Sequence, residues 1–288
     1  MHLGPALAVT LALCLAHPAA ADPATSFVWQ DSRAGFGGLS GLALSGDGTQ
    51  LTAVSDRGFL VTARLRREQG RIVAAKDLRI TRLRSSRGLP LTRGISDAEG
   101  LTVLPGGGFC VSFEGLHRVA CHADRDAPAR VLDRPPGYAT LPGNGSFEAL
   151  AADGDGRLYI LPEDSPDATG AIPVHRWNGR AWTTPFALPS RGRYLPVGAD
   201  FGPDGRFYLL ERDYGWRGFR SRLRRWDLSG DSPHGETTLL ESAWGDHDNL
   251  EGVSVWRDGD GHLRATMIAD DNFLFFQRTE IVEYTLPE

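Results

Sequence analysis

Acidic residues recur at matched points in five stretches of this 288-residue chain. Glu99, Glu148 and Glu251 each open a short apolar run, and Asp97, Ser146 and Asn249 stand two positions before them. Asp56, Glu114, Glu163, Glu211 and Asp270 each close the apolar run that follows. Carboxylates gathered at one place repel one another and resist ionising together, so they call for a compensating charge. A divalent cation supplies it directly, and oxygen-only donors suit Ca²⁺ or Mg²⁺, with Ca²⁺ the better match to a ring of carboxylates. The expected metal ligands are Asp56, Glu99, Glu114, Glu148, Glu163, Asn249, Glu251 and Asp270. Arg57 and Arg212 follow two of the acids in sequence and could grip an anionic group bidentately.

Such a set could hydrolyse an ester. A bound ion lowers the pKa of its water and polarises the ester or phosphoryl oxygen. Glu148 or Glu211 would then take the proton, and His247 in GDHDNLEG is the histidine best placed for proton transfer. Tyr214 and Trp216, in RDYGWRGF, are expected to cover the substrate as a lid or sugar platform. Other hydrolase machinery is absent. Leu42 sits where a nucleophile elbow around Ser40 needs glycine, and there is neither a His-Glu-x-x-His helix nor a P-loop. Metal-dependent hydrolysis of phosphate esters or other small esters is therefore the leading expectation. A lactonase-like metal site and a non-catalytic binding module are the alternatives.

Residues so far apart must be brought together by a repeating architecture. The five stretches start at Ser40, Glu99, Glu148, Val197 and Glu251, spaced 59, 49, 49 and 54 residues apart. Each is an apolar strand, a Gly/Asp turn such as Asp155-Gly156 or Asp204-Gly205, and a second apolar strand, the pattern of a hairpin. Two further strand-like runs follow each hairpin. Four-stranded units at this period predict an all-β propeller of antiparallel blades, with five blades and six as the alternative. The stretch after Glu251 holds about three strands, so the N-terminal TSFVWQD is expected to complete the last blade. In a propeller, the start of the first strand and the end of the second share one mouth of the channel, where the acids would meet.

The net charge of −5 and the lack of an aromatic-plus-arginine platform argue against nucleic acid as a partner. Residues 1–21 read as a signal peptide. An apolar run from Ala6 to Ala16 is followed by Ala19-Ala20-Ala21, and the run is too short to span a bilayer. The expected mature protein, residues 22–288, is one propeller domain, periplasmic or secreted, free of the membrane and monomeric, acting on a small anionic or ester substrate. In such a compartment Cys110 and Cys121 could form a cross-strand disulfide, because a turn at Gly115-Leu116 places them opposite each other. Two buried thiols are the other reading.

As a set, the motifs GLSGLAL…AVSDRG (38–58), DAEGL (97), SFEALA (146), GADFGPDGRFYLLERDY (198), NLEGVSVW (249) and IADDNF (268) resemble the family described as "esterase-like activity of phytase". The resemblance implies a propeller fold, an exported bacterial protein, and hydrolysis of esters or phosphate esters.

Overall fold

A computed structural model describes residues 25–141, 145–228 and 231–287. The expected signal segment lies outside the described residues. Strand β1 (Thr25–Val28) precedes five repeats of the same antiparallel meander. Blade 1 is β2 (Leu39–Leu44), β3 (Gln50–Ser55), β4 (Phe59–Glu68) and β5 (Arg71–Arg82). Blade 2 is β6 (Ala98–Val103), β7 (Phe109–Phe113), β8 (Arg118–His122) and the two-residue β9 (Arg130–Val131). Blade 3 is β10 (Phe147–Ala152), β11 (Leu158–Pro162), β12 (Ile172–Trp177) and β13 (Trp182–Leu188). Blade 4 is β14 (Leu195–Phe201), β15 (Phe207–Gly215), β16 (Gly218–Asp227) and β17 (His234–Glu241). Blade 5 is β18 (Asn249–Arg257), β19 (Leu263–Asp270) and β20 (Glu280–Thr285), completed by β1.

The ring therefore has five blades. It closes as the repeat spacing predicts, with β1 pairing β20 through Phe27 and Ile281. The first strands of the blades touch their neighbours in sequence, and β18 returns to β2. Apolar side chains alternating along the strands pack between blades. Val61, Ala63 and Leu65 meet Ile268 and Ile281 of blade 5, while Val54 and Leu60 meet Val111 and Phe113 of blade 2. The Asp-Gly turns behave as their composition demands. Gly156 and Gly205 adopt φ of 77° and 75°, a region that costs a Cβ-bearing residue dearly. Cys110 faces Cys121 across β7 and β8, with Val111 opposite Ala120 in the predicted register, and the two cysteines are joined by a disulfide.

Candidate functional site

Strand register builds the mouth. Phe147 pairs with Pro162, Ala98 with Phe113, Leu39 with Ser55, Pro196 with Glu211, and Leu250 with Ala269. The residue after each of these partners turns in toward the channel. These residues form an outer ring of Asp56, Glu114, Glu163, Arg212 and Asp270. One position after the first member of each pair comes an inner ring of Ser40, Glu99, Glu148, Val197 and Glu251. The same main-chain bond fixes the geometry in three blades: Asp56 N donates to the Gly38 carbonyl (2.9 Å), Glu114 N to that of Asp97 (2.9 Å) and Glu163 N to that of Ser146 (2.7 Å).

The inner strands can converge because the next residue is small. A Cβ on Gly100 would lie 2.3 Å from the Glu148 carbonyl oxygen, one on Gly198 2.3 Å from that of Glu251, and one on Gly252 2.4 Å from that of Ser40. Each of these strands carries a β-bulge at this point, which re-aims the neighbouring side chains. Glycine thus lets one blade press its backbone against the next blade's inner-ring residue, an acid at Glu148 and Glu251 and a serine at Ser40.

Above this constriction lies a cavity of about 1320 Å³ lined by eleven carboxylates and three arginines. Its two halves differ. On one side Arg212 is clamped: one guanidinium nitrogen donates to Glu163 (2.6 Å) and the other to Asn249 (2.6 Å) and Glu251. Burial alone would lower its pKa, but the fields of Glu251, Glu148 and Glu163 outweigh that and hold it above the ordinary arginine value. On the other side, donor oxygens of Asp97, Glu99 and Glu114 lie within 4.8 Å of one another, with no arginine in ion-pair contact among the described residues. Burial pushes all three carboxyls above their ordinary values, and neighbouring carboxylates add to the rise at Glu99 and Glu114, even though Glu114 accepts a 2.8 Å bond from Ser146 N. Burial and the field of Asp97 raise Asp56 to about 6. Asp270 is raised by burial and by Glu251, and Glu148 by burial and by Glu163.

All eight expected metal ligands line this one cavity, as do His247 and Tyr214. The immediate cluster is tighter than expected: Asp97, Glu99 and Glu114, all from blade 2. Asp97 was visible as a polar oxygen before Glu99 without being placed among the ligands. His247 is half-buried, and its Nε2 lies 2.6 Å from the Tyr284 hydroxyl; burial lowers its pKa against the opposing fields of Glu280 and Asp246.

Three assignments need correction. Glu211 does not reach the mouth. It is fully buried within blade 4, where Arg224 (2.5 Å) and Arg222 (2.9 Å) hold it in ion pairs away from the cavity. The acid of blade 4 stands one residue before the register position that faces the mouth, and in a strand a one-residue slip moves a side chain to the opposite face. Counting from the turn glycine would have found the true equivalent, since Gly156 to Glu163 and Gly205 to Arg212 are both seven residues. Arg212 spends its donors on the protein, which leaves it unsuited to bind substrate bidentately. Arg57 is exposed, stacks 3.2 Å over the Phe273 ring, and does not line the cavity.

Fold and site together define a five-bladed propeller whose mouth carries a blade-2 carboxylate cluster suited to a hard cation. The chain belongs to the phytase-like family described as "esterase-like activity of phytase", whose model matches residues 34–273. A comparison with curated protein sequences gives no match. Among solved structures, the chain is similar to the α-L-arabinofuranosidase PaAbf62A of Podospora anserina at 13% identity and TM-score 0.56, covering 92% of this chain and 96% of that one. It is similar to the catalytic domain of a Coprinopsis cinerea α-L-arabinofuranosidase at 14% identity and TM-score 0.55, covering 91% and 96%. A gluconolactonase from Xanthomonas campestris matches at 15% identity and TM-score 0.51, covering 94% and 99%. At these identities the likeness is one of fold.

Proposed function

We propose that the mouth is the active site of an exported, divalent-cation-dependent hydrolase of small neutral esters, lactones included. The observation that carries this reading is the asymmetry of charge: Arg212 neutralises the Glu163–Glu251 side, and Asp97, Glu99 and Glu114 stand uncompensated. Three carboxylates within 4.8 Å match the span of oxygen ligands ~2.3–2.6 Å from one Ca²⁺. A bound cation would supply Lewis-acid polarisation of the ester carbonyl and an acidified water.

The chain's own residues do the rest. Asp97, Glu99 and Glu114 would hold the ion, and Asp56 and Asp270 deepen the negative field around it. Glu148 faces the same cavity in a buried setting that favours its protonated form, which suits it to hand a proton to the leaving alkoxide. Arg212 fixes Glu163, Asn249 and Glu251 in place. Tyr214, Trp216 and Phe276 form an apolar rim for the body of the substrate.

Eleven carboxylates against three arginines disfavour the phosphate esters that the family resemblance implies. One divalent ion leaves the cavity strongly negative, so a neutral ester enters at lower electrostatic cost than a phosphate dianion. The test is metal analysis of the purified protein together with a panel of carboxylic esters, lactones and phosphate monoesters, with and without chelator. Chelator-sensitive cleavage of esters or lactones is expected. Absence of both metal and turnover, or a preference for phosphate monoesters, overturns the proposal.

A further inference from the structure

The flank of the propeller holds a second cavity, of about 240 Å³, in the wedge between blade 2 and the segment joining β5 to β6. None of its lining residues is shared with the mouth, and its chemistry is the reverse. Arg84, Arg118 and Arg134 line it, and no carboxylate does. Its walls are otherwise largely apolar, including Phe113, Ile95 and Leu132.

Arg118 is the most telling residue. It is 9% exposed, and its guanidinium donates to the carbonyls of Leu116 (2.9 Å) and Ile95 (2.5 Å) and lies 3.8 Å over the Phe113 ring. It makes no ion pair among the described residues. Burial lowers its pKa to about 10, the direction expected of a cation denied a counter-charge. A buried charge held by neutral groups alone is costly and gains when an anion arrives. His122, also buried, lines the same cavity; its Nδ1 faces the Ala127 carbonyl at 3.0 Å and its Nε2 has no partner.

A second, independent feature points the same way. From Arg57 to Arg93 the chain carries ten arginines and one lysine against two acids, Glu68 and Asp77, in a protein of net charge −5. Arg64 pairs in register with Lys76 and Thr62 with Arg79, so these cations share the β4–β5 face of Leu60, which packs toward blade 2. Averaging over the whole sequence hides this local field. A field of one sign beside a cavity of that sign concentrates opposite charge at the cavity mouth.

We infer that this wedge binds a small apolar monocarboxylate, its ring or branched chain against Phe113, Ile95 and Leu132 and its carboxylate on the arginines. The size fits. Roughly 150 Å³ suffices for a benzene ring, and drug-sized ligands need about 300–1,000 Å³, so 240 Å³ takes a ring with a short acidic arm. A planar carboxylate also matches the guanidinium fork.

The test is calorimetric or NMR titration of the intact protein with phenylacetate, its neutral isostere phenylacetamide, and inorganic phosphate. Phenylacetate is expected to bind with Kd of about 0.1–1 mM, with phenylacetamide and phosphate at least ~10-fold weaker. Arg118→Met should abolish binding. Because that variant also removes bonds to two carbonyls, Ser86→Asp serves as a second one: it places a carboxylate at an exposed edge of the cavity and should weaken phenylacetate at least ~10-fold without loss of fold. Equal binding of acid and amide, phosphate binding as tightly as phenylacetate, undiminished binding in a folded Ser86→Asp, or no saturable binding in the millimolar range each overturns the inference. Ser86 lines only this cavity, so hydrolysis at the mouth should be unchanged in Ser86→Asp, and the two sites stand or fall separately.

Discussion

The Arg212 guanidinium lies 2.6 Å from the Glu163 carboxylate, and the two residues hold the same register position in neighbouring blades. Blade 4 thus contributes a cation where its four companions contribute acids, and its inner position is the apolar Val197. One substitution in the repeat gives a ring of like charges its internal counter-ion. Removing that charge leaves Glu163 and Glu251 facing each other with their side chains largely buried. Arg212→Met is expected to lose about 3–5 kcal/mol of stability at mildly alkaline pH. The loss should shrink in mild acid, where the acids take up protons, and denaturant titration at both pH values checks it.

The opposite half of the mouth yields the reverse expectation. In metal-free protein Glu99→Gln removes a repulsive neighbour of Glu251, Asp97, Glu114 and Asp270 and should stabilise the fold or leave it unchanged. The same change should abolish the rise in melting temperature that wild type shows on adding Ca²⁺ in chelated buffer. A full Ca²⁺-induced shift in the variant would remove Glu99 from the cation site.

Stability should also depend on pH in a definite direction. Asp56, Asp97, Glu99, Glu114, Glu148 and Asp270 all have folded pKa values above their unfolded ones. The folded state therefore binds protons more tightly than the unfolded chain, and stability falls as pH rises. The contribution is complete below the unfolded values near ~4. For Asp56 it is lost as pH passes about 6, and for the other groups as pH rises through their own raised values. Metal-free protein should melt several degrees lower at pH ~8 than at pH ~5, and saturating Ca²⁺ should flatten that slope, because a bound cation replaces the protons.

The glycine contacts between blades predict a mutation that acts on the site without touching a carboxylate. Gly100→Ala drives a Cβ to 2.3 Å from the Glu148 carbonyl, and relief requires the two blades to part. Overpacking of this kind costs about 1–3 kcal/mol and should weaken cation affinity in parallel. Ala149 occupies the matching place in blade 3, so Ala149→Gly should leave affinity within about twofold.

How far the sequence foretold this depends on which residues are asked about. The blade count and the shared terminal blade followed from Gly/Asp turns and strand spacing, and the Cys110–Cys121 register from the Gly115-Leu116 turn, all local signals. The convergence of Glu99, Glu148, Glu251 and Asp270 followed from topology once the repeat was recognised. Glu211 and Arg212 did not follow, because side-chain direction reverses with every residue and the blades differ in length around their turns. The basic wedge is not legible in the sequence, because Arg84, Arg118 and Arg134 come from three segments with no repeat relation, and only the packing of the β5–β6 segment against blade 2 joins them.

The disulfide offers a check that is independent of the site. Its bridge closes a sequence separation of 11 residues across β7 and β8, the strands that carry Glu114 at their turn. A loop this short limits the stabilisation to about 2–3 kcal/mol. Cys110→Ser with Cys121→Ser should lower the unfolding free energy by that amount. Cation affinity should stay near wild type, because Glu114 is fixed by the Asp97 carbonyl and Ser146 N rather than by the bridge.

The aromatic rim can be divided by the same reasoning. Trp216 is 95% exposed and Phe276 66% exposed, and both line the mouth, while Phe275 is 98% exposed and does not. A residue that covers the substrate should affect binding in proportion to the apolar area buried on association. Truncating Trp216 forfeits about 1.5–3 kcal/mol if the indole is fully covered, a rise in KM of roughly tenfold or more. Trp216→Ala should therefore raise KM for esters with a bulky apolar body and leave kcat and the smallest esters almost unchanged. Phe275→Ser should change neither. If the two variants behave alike, the rim is a general sticky surface, and the apolar part of the substrate lies elsewhere.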